Sequence, residues 1–244
     1  SMVFDSVAYK NVISNGLVLD KNGMKMSKRL GNAVDPFTTM DEYGADALRW
    51  YLLTNAAPWD NLRFDMEGLQ EVRRKFFGTL HNTYAFFALY ANVDGFRYEE
   101  AGIPLHERPE MDQWILSELH SLIAKVEDGM EAFEPTRAFR PIQEFTTEKL
   151  SNWYVRLGRR RFWKGAYEAD KISAYQTLWT CLETLSRLMA PLAPFYADQL
   201  YTDLHKGIAK TGETSVHLTD FPAVHAQAVN APLEKKINLA RQLT

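Results

Sequence analysis

From Asp65 onward, apolar residues return every three or four positions, and proline or glycine cuts that pattern at short intervals. The first stretch, residues 65–92, carries Leu69, Val72, Phe76, Leu80, Thr83, Phe87 and Tyr90 at this spacing. After a linker over about 94–110, a second carries Met111, Trp114, Ile115, Leu119, Leu122, Ile123, Val126 and Met130. Glu134-Pro135-Thr136 breaks it, because proline cannot continue a helix from within. Further helices are predicted over about 135–163, 170–190 and 194–206, and a last one over 231–243. Helices joined by such short breaks lie antiparallel, so the expected fold is mainly α, an antiparallel helical bundle. The run Ser215-Val216-His217-Leu218 reads instead as a short strand.

Upstream of Phe64 the pattern is mixed. Val12-Ile13 and Leu17-Val18-Leu19 read as extended segments separated by an Asn15-Gly16 turn. Asp35-Pro36 starts a short helix that stops near Gly44, and a second, with Leu48, Tyr51 and Leu52 on one stripe, ends before Pro58. A small α/β piece over 1–63 is therefore expected ahead of a helical domain over 64–225, with 226–244 beginning a further carboxy-terminal region. Ser1 ahead of Met2 resembles a protease scar, which gives the expectation that the chain is cut from a longer protein.

Composition narrows the function classes. With 46% hydrophobic and 24% charged residues, the chain has the make-up of a globular domain, not of a disordered or fibrous one. Its net charge of −3 means that any nucleic-acid surface must be local. The single cysteine, Cys181, excludes an intrachain disulfide and a multi-Cys zinc site, and its apolar surroundings predict a buried thiol. His81, His106, His120, His205 and His225 show no paired ligand spacing, so no metal site is expected. No apolar run approaches the roughly 20 residues of a bilayer span, and the first residues are not a secretory leader. A cytoplasmic, monomeric protein is the expectation.

Two segments point to chemistry. Lys25-Met26-Ser27-Lys28-Arg29 sets two lysines around a small hydroxyl residue, between Gly23 and Gly31. Mobile ammonium groups on such a loop suit a polyphosphate whose charge grows as a phosphorus–oxygen bond breaks. Between Pro135 and Gly165 stand eight basic residues, Arg137, Arg140, Lys149, Arg156, Arg159, Arg160, Arg161 and Lys164, against only Glu144 and Glu148. Helical spacing puts Lys149, Trp153, Arg156, Arg160 and Lys164 near one face. A basic stripe interleaved with aromatics can hold phosphates and stack an unpaired base. Aromatics at helical spacing are more often packed than stacked on a ligand, so Trp153, Tyr154, Phe162 and Trp163 also read as core.

The loop resembles a known signature. Asn15 to Asp20, then Gly23-Met24-Lys25-Met26-Ser27-Lys28-Arg29-Leu30-Gly31-Asn32, Val34-Asp35-Pro36 and Tyr43-Gly44-Ala45-Asp46-Ala47-Leu48-Arg49 are similar to the Lys-Met-Ser-Lys-Ser region of class I aminoacyl-tRNA synthetases. Arg29 stands where the pattern has its second Ser. Leu150-Ser151-Asn152-Trp153-Tyr154-Val155-Arg156 and Arg159-Arg160-Arg161-Phe162-Trp163 resemble the anticodon-binding helix of the isoleucine group. The valine, leucine and methionine groups, a stand-alone tRNA-binding module and a helical interaction protein are the alternatives.

The resemblance implies that Lys28 first, and Lys25 second, contact ATP phosphates as catalytic groups, with Met26, Ser27 and Arg29 completing the ATP-binding loop. It implies tRNA contacts from Lys149, Trp153, Arg156, Arg159, Arg160, Arg161, Trp163 and Lys164. In the intact enzyme it implies ATP with Mg2+, isoleucine and isoleucine tRNA, in a reaction that forms an aminoacyl-adenylate and passes the aminoacyl group to tRNA. The family's other signature, His-Ile-Gly-His, does not occur in the sequence. The chain alone is therefore expected not to activate an amino acid, and no cofactor is expected on it.

Overall fold

Asp35 opens the first helix of the computed structural model, which describes residues 3–208 and 212–243. Its carboxylate accepts the Phe37 amide at 2.8 Å and the Thr38 amide at 3.3 Å, and Pro36 fills the first helical position. The helix α1 (Pro36–Tyr43) ends at Gly44, and α2 (Ala45–Asn55) follows directly. Ser1 and Met2, read as a protease scar, lie outside the described residues.

The turn expected at Asn15-Gly16, between two extended segments, does not form. Strand β1 (Val18–Leu19) pairs in parallel with β2 (Leu62–Arg63), and α1 and α2 make the crossover between them. Gly16 serves close approach here and not a turn. Its amide donates to Pro58 O at 2.8 Å, and a Cβ on it would lie 2.1 Å from the Asp60 carbonyl oxygen.

Past β2, Asp65 caps α3 (Met66–Glu71), which runs through a π-helical stretch, Val72–Phe77, into α4 (Gly78–Asp94). The helix α5 (Glu110–Glu131) follows. Then α6 (Pro135–Glu144) continues through a second π-helical stretch, Phe145–Val155, into α7 (Arg156–Trp163). The bundle is completed by α8 (Ala169–Met189), α9 (Pro194–His205) and α10 (Ala231–Gln242). The helical segments match the apolar periodicity closely. The π turns were not legible, because a widened turn leaves no fixed residue pattern.

The core crosses the boundary placed at Phe64. Trp50 of α2 is fully buried, stacked on Phe76 with ring centroids 4.4 Å apart and edge-on to Phe139 at 5.7 Å. At the crossing of α5 and α6, a Cβ on Gly129 would sit 2.8 Å from the Ala138 backbone. Arg49 of α2 donates to the Leu192 and Pro191 carbonyls, and the buried Asp46 accepts the Tyr196 amide at 2.7 Å. These bonds fasten α2 to the turn between α8 and α9.

One expectation near the end of the chain changes. Ser215–Leu218 is a 3-10 turn (Val216–Leu218) and not a strand. Asp198 accepts both the Ser215 hydroxyl and the Val216 amide, Ser215 Oγ accepts the His217 amide, and only Val216 is buried. Within 226–244, Leu233 and Ile237 of α10 are buried, and Glu234 accepts the Ser117 and Ser121 hydroxyls of α5. Cys181 is fully buried as expected, and burial pushes its thiol up.

Candidate functional site

The lysine loop is shaped by hydrogen bonds, since no described residue before Thr39 is buried. Ser27 is the N-cap of a 3-10 turn, Lys28–Leu30, and its Oγ accepts the Arg29 amide at 3.2 Å. Gly31 closes the turn in the left-handed region, with φ of 67°, and Gly23 opens the loop at φ of 81°. Lys25, Lys28 and Arg29 are exposed, and none makes a side-chain hydrogen bond or ion pair among the described residues. Met26 is partly buried against the core. The loop therefore presents cations on a fixed backbone, and the guanidinium of Arg63 on β2 lies against Gly23. Arg63 has no signal in the sequence and comes to the loop only through the β1–β2 pairing.

The basic helix divides into two sets. Arg137 pairs with Glu134 at 3.1 Å, and Arg140 donates to the Thr54 and Asn55 carbonyls at the end of α2. Lys149 and Arg161, expected to face RNA, are instead committed to buried carboxylates. Lys149 Nζ lies 2.6 Å from Oε2 of Glu118, which is 2% exposed. The wide turn of Phe145–Val155 breaks the 3.6-residue phase that had aligned Lys149 with Arg156, and Lys149 meets α5 instead. Arg161 grips Asp112 with both Nη atoms, at 2.5 and 2.8 Å, and also bonds Asp170. Asp112, fully buried in the first turn of α5, further accepts the Tyr154 hydroxyl at 2.8 Å and the Ser173 hydroxyl at 2.6 Å. Burial first, and the charge of Asp112 second, push the Tyr154 hydroxyl well up.

What remains is a compact set of cations. Arg156, Arg159, Arg160 and Lys164 are exposed and have no side-chain partner among the described residues. Trp163 stands among them, 52% exposed, whereas Tyr154 and Phe162 are core. Trp153 is intermediate. It lines a cleft of about 580 Å³ with Glu148, Asn152, Arg156, Leu157 and Arg241. Arg241 of α10 lies 6.0 Å from the centre of the Trp153 ring and donates to the Glu148 carbonyl. No sequence signal marked Arg241, because its neighbourhood exists only once α10 has docked. Among the described residues, no group of three His, Cys, Asp or Glu side chains could hold a metal ion. No described helix is long and apolar enough to cross a membrane.

Known proteins bear on both parts of this surface. Residues 1–65 match the family model described as tRNA synthetases class I (I, L, M and V), and residues 112–244 match the anticodon-binding domain of tRNA ligase. The chain is 61% identical over 244 residues to the isoleucine–tRNA ligase of Bacteroides thetaiotaomicron, covering all of this chain and 21% of that protein. It is 59% identical over 243 residues to that of Cytophaga hutchinsonii, covering 22% of it, and 46% identical over 244 residues to that of Dehalococcoides mccartyi, covering 24%. The chain thus spans between a fifth and a quarter of the length of these curated relatives. Among solved structures, a chain in the ternary complex of LeuRS, tRNA and LeuAMS from Agrobacterium radiobacter K84 is similar, with a TM-score of 0.66 and 25% identity. That match covers 89% of this chain and 24% of the other. With more than half of its residues inside the second family model, the chain belongs to the anticodon-binding domain family of tRNA ligases, preceded by class I tRNA synthetase sequence.

Proposed function

We propose that the chain is the part of an isoleucine–tRNA ligase that carries the ATP-phosphate loop and the anticodon-binding surface for isoleucine tRNA. The observation that carries this reading is the pairing, in one chain, of an unpartnered lysine loop with a cluster of unpartnered cations around an exposed tryptophan. The division into a catalytic-domain tail over 1–63, a tRNA-binding domain over 64–225 and the start of a further region over 226–244 belongs to the same proposal, as does a monomeric enzyme working in the cytoplasm.

In the intact ligase, the amino-acid carboxylate attacks the α-phosphate of ATP, and the bond to pyrophosphate breaks. Lys28, with Lys25 beside it, balances the charge that gathers on the leaving phosphates. The donor set here is cationic and suits phosphate oxygens. It cannot ligate Mg2+, and no step on these residues runs through that ion. At the other surface, Arg156, Arg159, Arg160 and Lys164 neutralise tRNA phosphates, and Trp163 and Trp153 offer π faces to unpaired anticodon-loop bases.

The test is binding of this chain to isoleucine, valine, leucine and methionine tRNAs at two salt concentrations. Salt-sensitive binding that favours isoleucine tRNA and weakens on anticodon changes is expected. In the intact ligase, Lys28→Ala should slow adenylate formation and leave tRNA affinity nearly unchanged, and Arg160→Ala should do the reverse. Equal loss of both activities in either variant would sink this division of labour.

A further inference from the structure

The lysine loop lacks a buried core of its own, yet its backbone is tightly bonded, and the bonds converge on one side chain. Asn32 Oδ1 accepts the Ser27 amide at 2.9 Å. Its Nδ2 donates to Asp20 Oδ2 at 2.8 Å and to the Lys25 carbonyl at 3.3 Å. Asp20 Oδ1 in turn accepts the Asn22 amide at 2.9 Å and the Met24 amide at 2.8 Å. One primary amide thus holds both peptide groups that flank Met26, and ties them to the carboxylate that shapes the turn before Gly23.

We infer that Asn32 is the positioning residue of the lysine loop, setting the backbone from which Lys25 and Lys28 reach a bound polyphosphate. This rests on the reading of the loop as the ATP-phosphate site. Three details support it. Asn32 and Asp20 both lie outside the glycines at 23 and 31, so together they brace the base of the loop. Ser27, held by Asn32, is also the cap that starts the turn carrying Lys28. The Asp20 carboxyl is held below its usual range, with the hydrogen bond from Asn32 as the leading cause. An amide is the group that meets both demands, since it accepts from Ser27 with one end and donates to Asp20 and Lys25 with the other.

The test is ATP–pyrophosphate exchange by the intact ligase. Losing the amide removes a charge-assisted hydrogen bond to Asp20 and two neutral bonds to the loop backbone, so Asn32→Ala should lower the exchange kcat about tenfold. The isoleucine KM, the affinity for tRNA and the melting temperature should hold, since no buried residue touches the network. Asn32→Asp should do no better than Asn32→Ala, because a second carboxylate would face Asp20 with no proton to donate. In a Lys28→Ala background, Asn32→Ala should cost less than about twofold, as expected of a residue that acts through the lysine. A full penalty in that background, an unchanged kcat for Asn32→Ala, or a large fall in melting temperature overturns the inference. Should Lys28→Ala alone leave exchange untouched, the phosphate reading of the loop fails first, and the role of Asn32 with it.

Discussion

Arg160 and Arg161 are neighbours in one basic run, yet the structure gives them opposite surroundings, and one pair of substitutions separates their proposed roles. Arg161→Ala strips the buried Asp112 of a two-pronged charged partner and leaves it only the Tyr154 and Ser173 hydroxyls. Removing one member of a buried pair costs about 3–5 kcal/mol, chiefly because the other charge stays buried without compensation. That is a large share of the roughly 5–15 kcal/mol that holds a domain folded. Asp112 also ties α5 to α7, α8 and the π-helical stretch, so the loss should loosen the whole bundle. Arg160 is exposed with no partner among the described residues, and Arg160→Ala should stay within about 0.5 kcal/mol of wild type. Urea unfolding followed by tryptophan fluorescence measures the first effect, because Trp114 and Trp179 are buried in the same core. tRNA binding against salt measures the second: Arg160→Ala should weaken affinity and flatten the salt slope by about one unit. Arg161→Lys, which keeps a charge but not the fork, should fall between wild type and alanine, and it serves where the alanine variant does not fold. Unfolding midpoints that are the same for Arg160→Ala and Arg161→Ala would refute the assignment of Arg161 to the fold.

Other perturbations probe separate parts of the molecule. Gly129→Ala should destabilise by about 1–3 kcal/mol in the same urea assay, because its Cβ would press on the Ala138 backbone and force α5 and α6 apart. His120 is held below its usual pKa by burial first and by nearby His225 second, and its Nδ1 accepts the His225 amide. The unfolded chain takes up that proton first, so stability present above about pH 6.5 should be lost as pH falls below it, and His120→Gln should flatten that acid side of the profile. Arg241→Ala should weaken tRNA binding while leaving Lys28-dependent exchange intact in the full ligase; equal binding would restrict Arg241 to closing the cleft.

Much of the fold was readable because its helices announce themselves at their ends. Asp35 and Asp65 cap, Pro36, Pro135 and Pro194 open helices, and the apolar spacing between them is regular. The errors arose where an identical local signal serves another purpose. Asn15-Gly16 has the composition of a hairpin turn, but the glycine is needed for contact with residue 60, and that contact depends on a strand more than 40 residues away. Ser215-Val216-His217-Leu218 alternates like a strand, but Asp198 and Ser215 offer its amides side-chain acceptors, and among the described residues no strand pairs with it.

The site was legible to a different degree on each surface, for a physical reason. The lysine loop is local: residues 20–32 shape one another, so the spacing of Asp, Gly, Ser and Asn carries nearly all the information needed. The basic helix is not. A charge count sees eight cations, but only long-range packing decides which of them meet buried acids. Glu118 and Asp112 on α5 each claim one, and a helix end and a local glutamate take two more. The residual cluster is then defined by subtraction: Arg156, Arg159, Arg160 and Lys164 are the cations of this helix left without a partner among the described residues, and they are the ones proposed to meet tRNA phosphates. A charge count alone overstates such a surface, and counting the buried carboxylates opposite it corrects the figure.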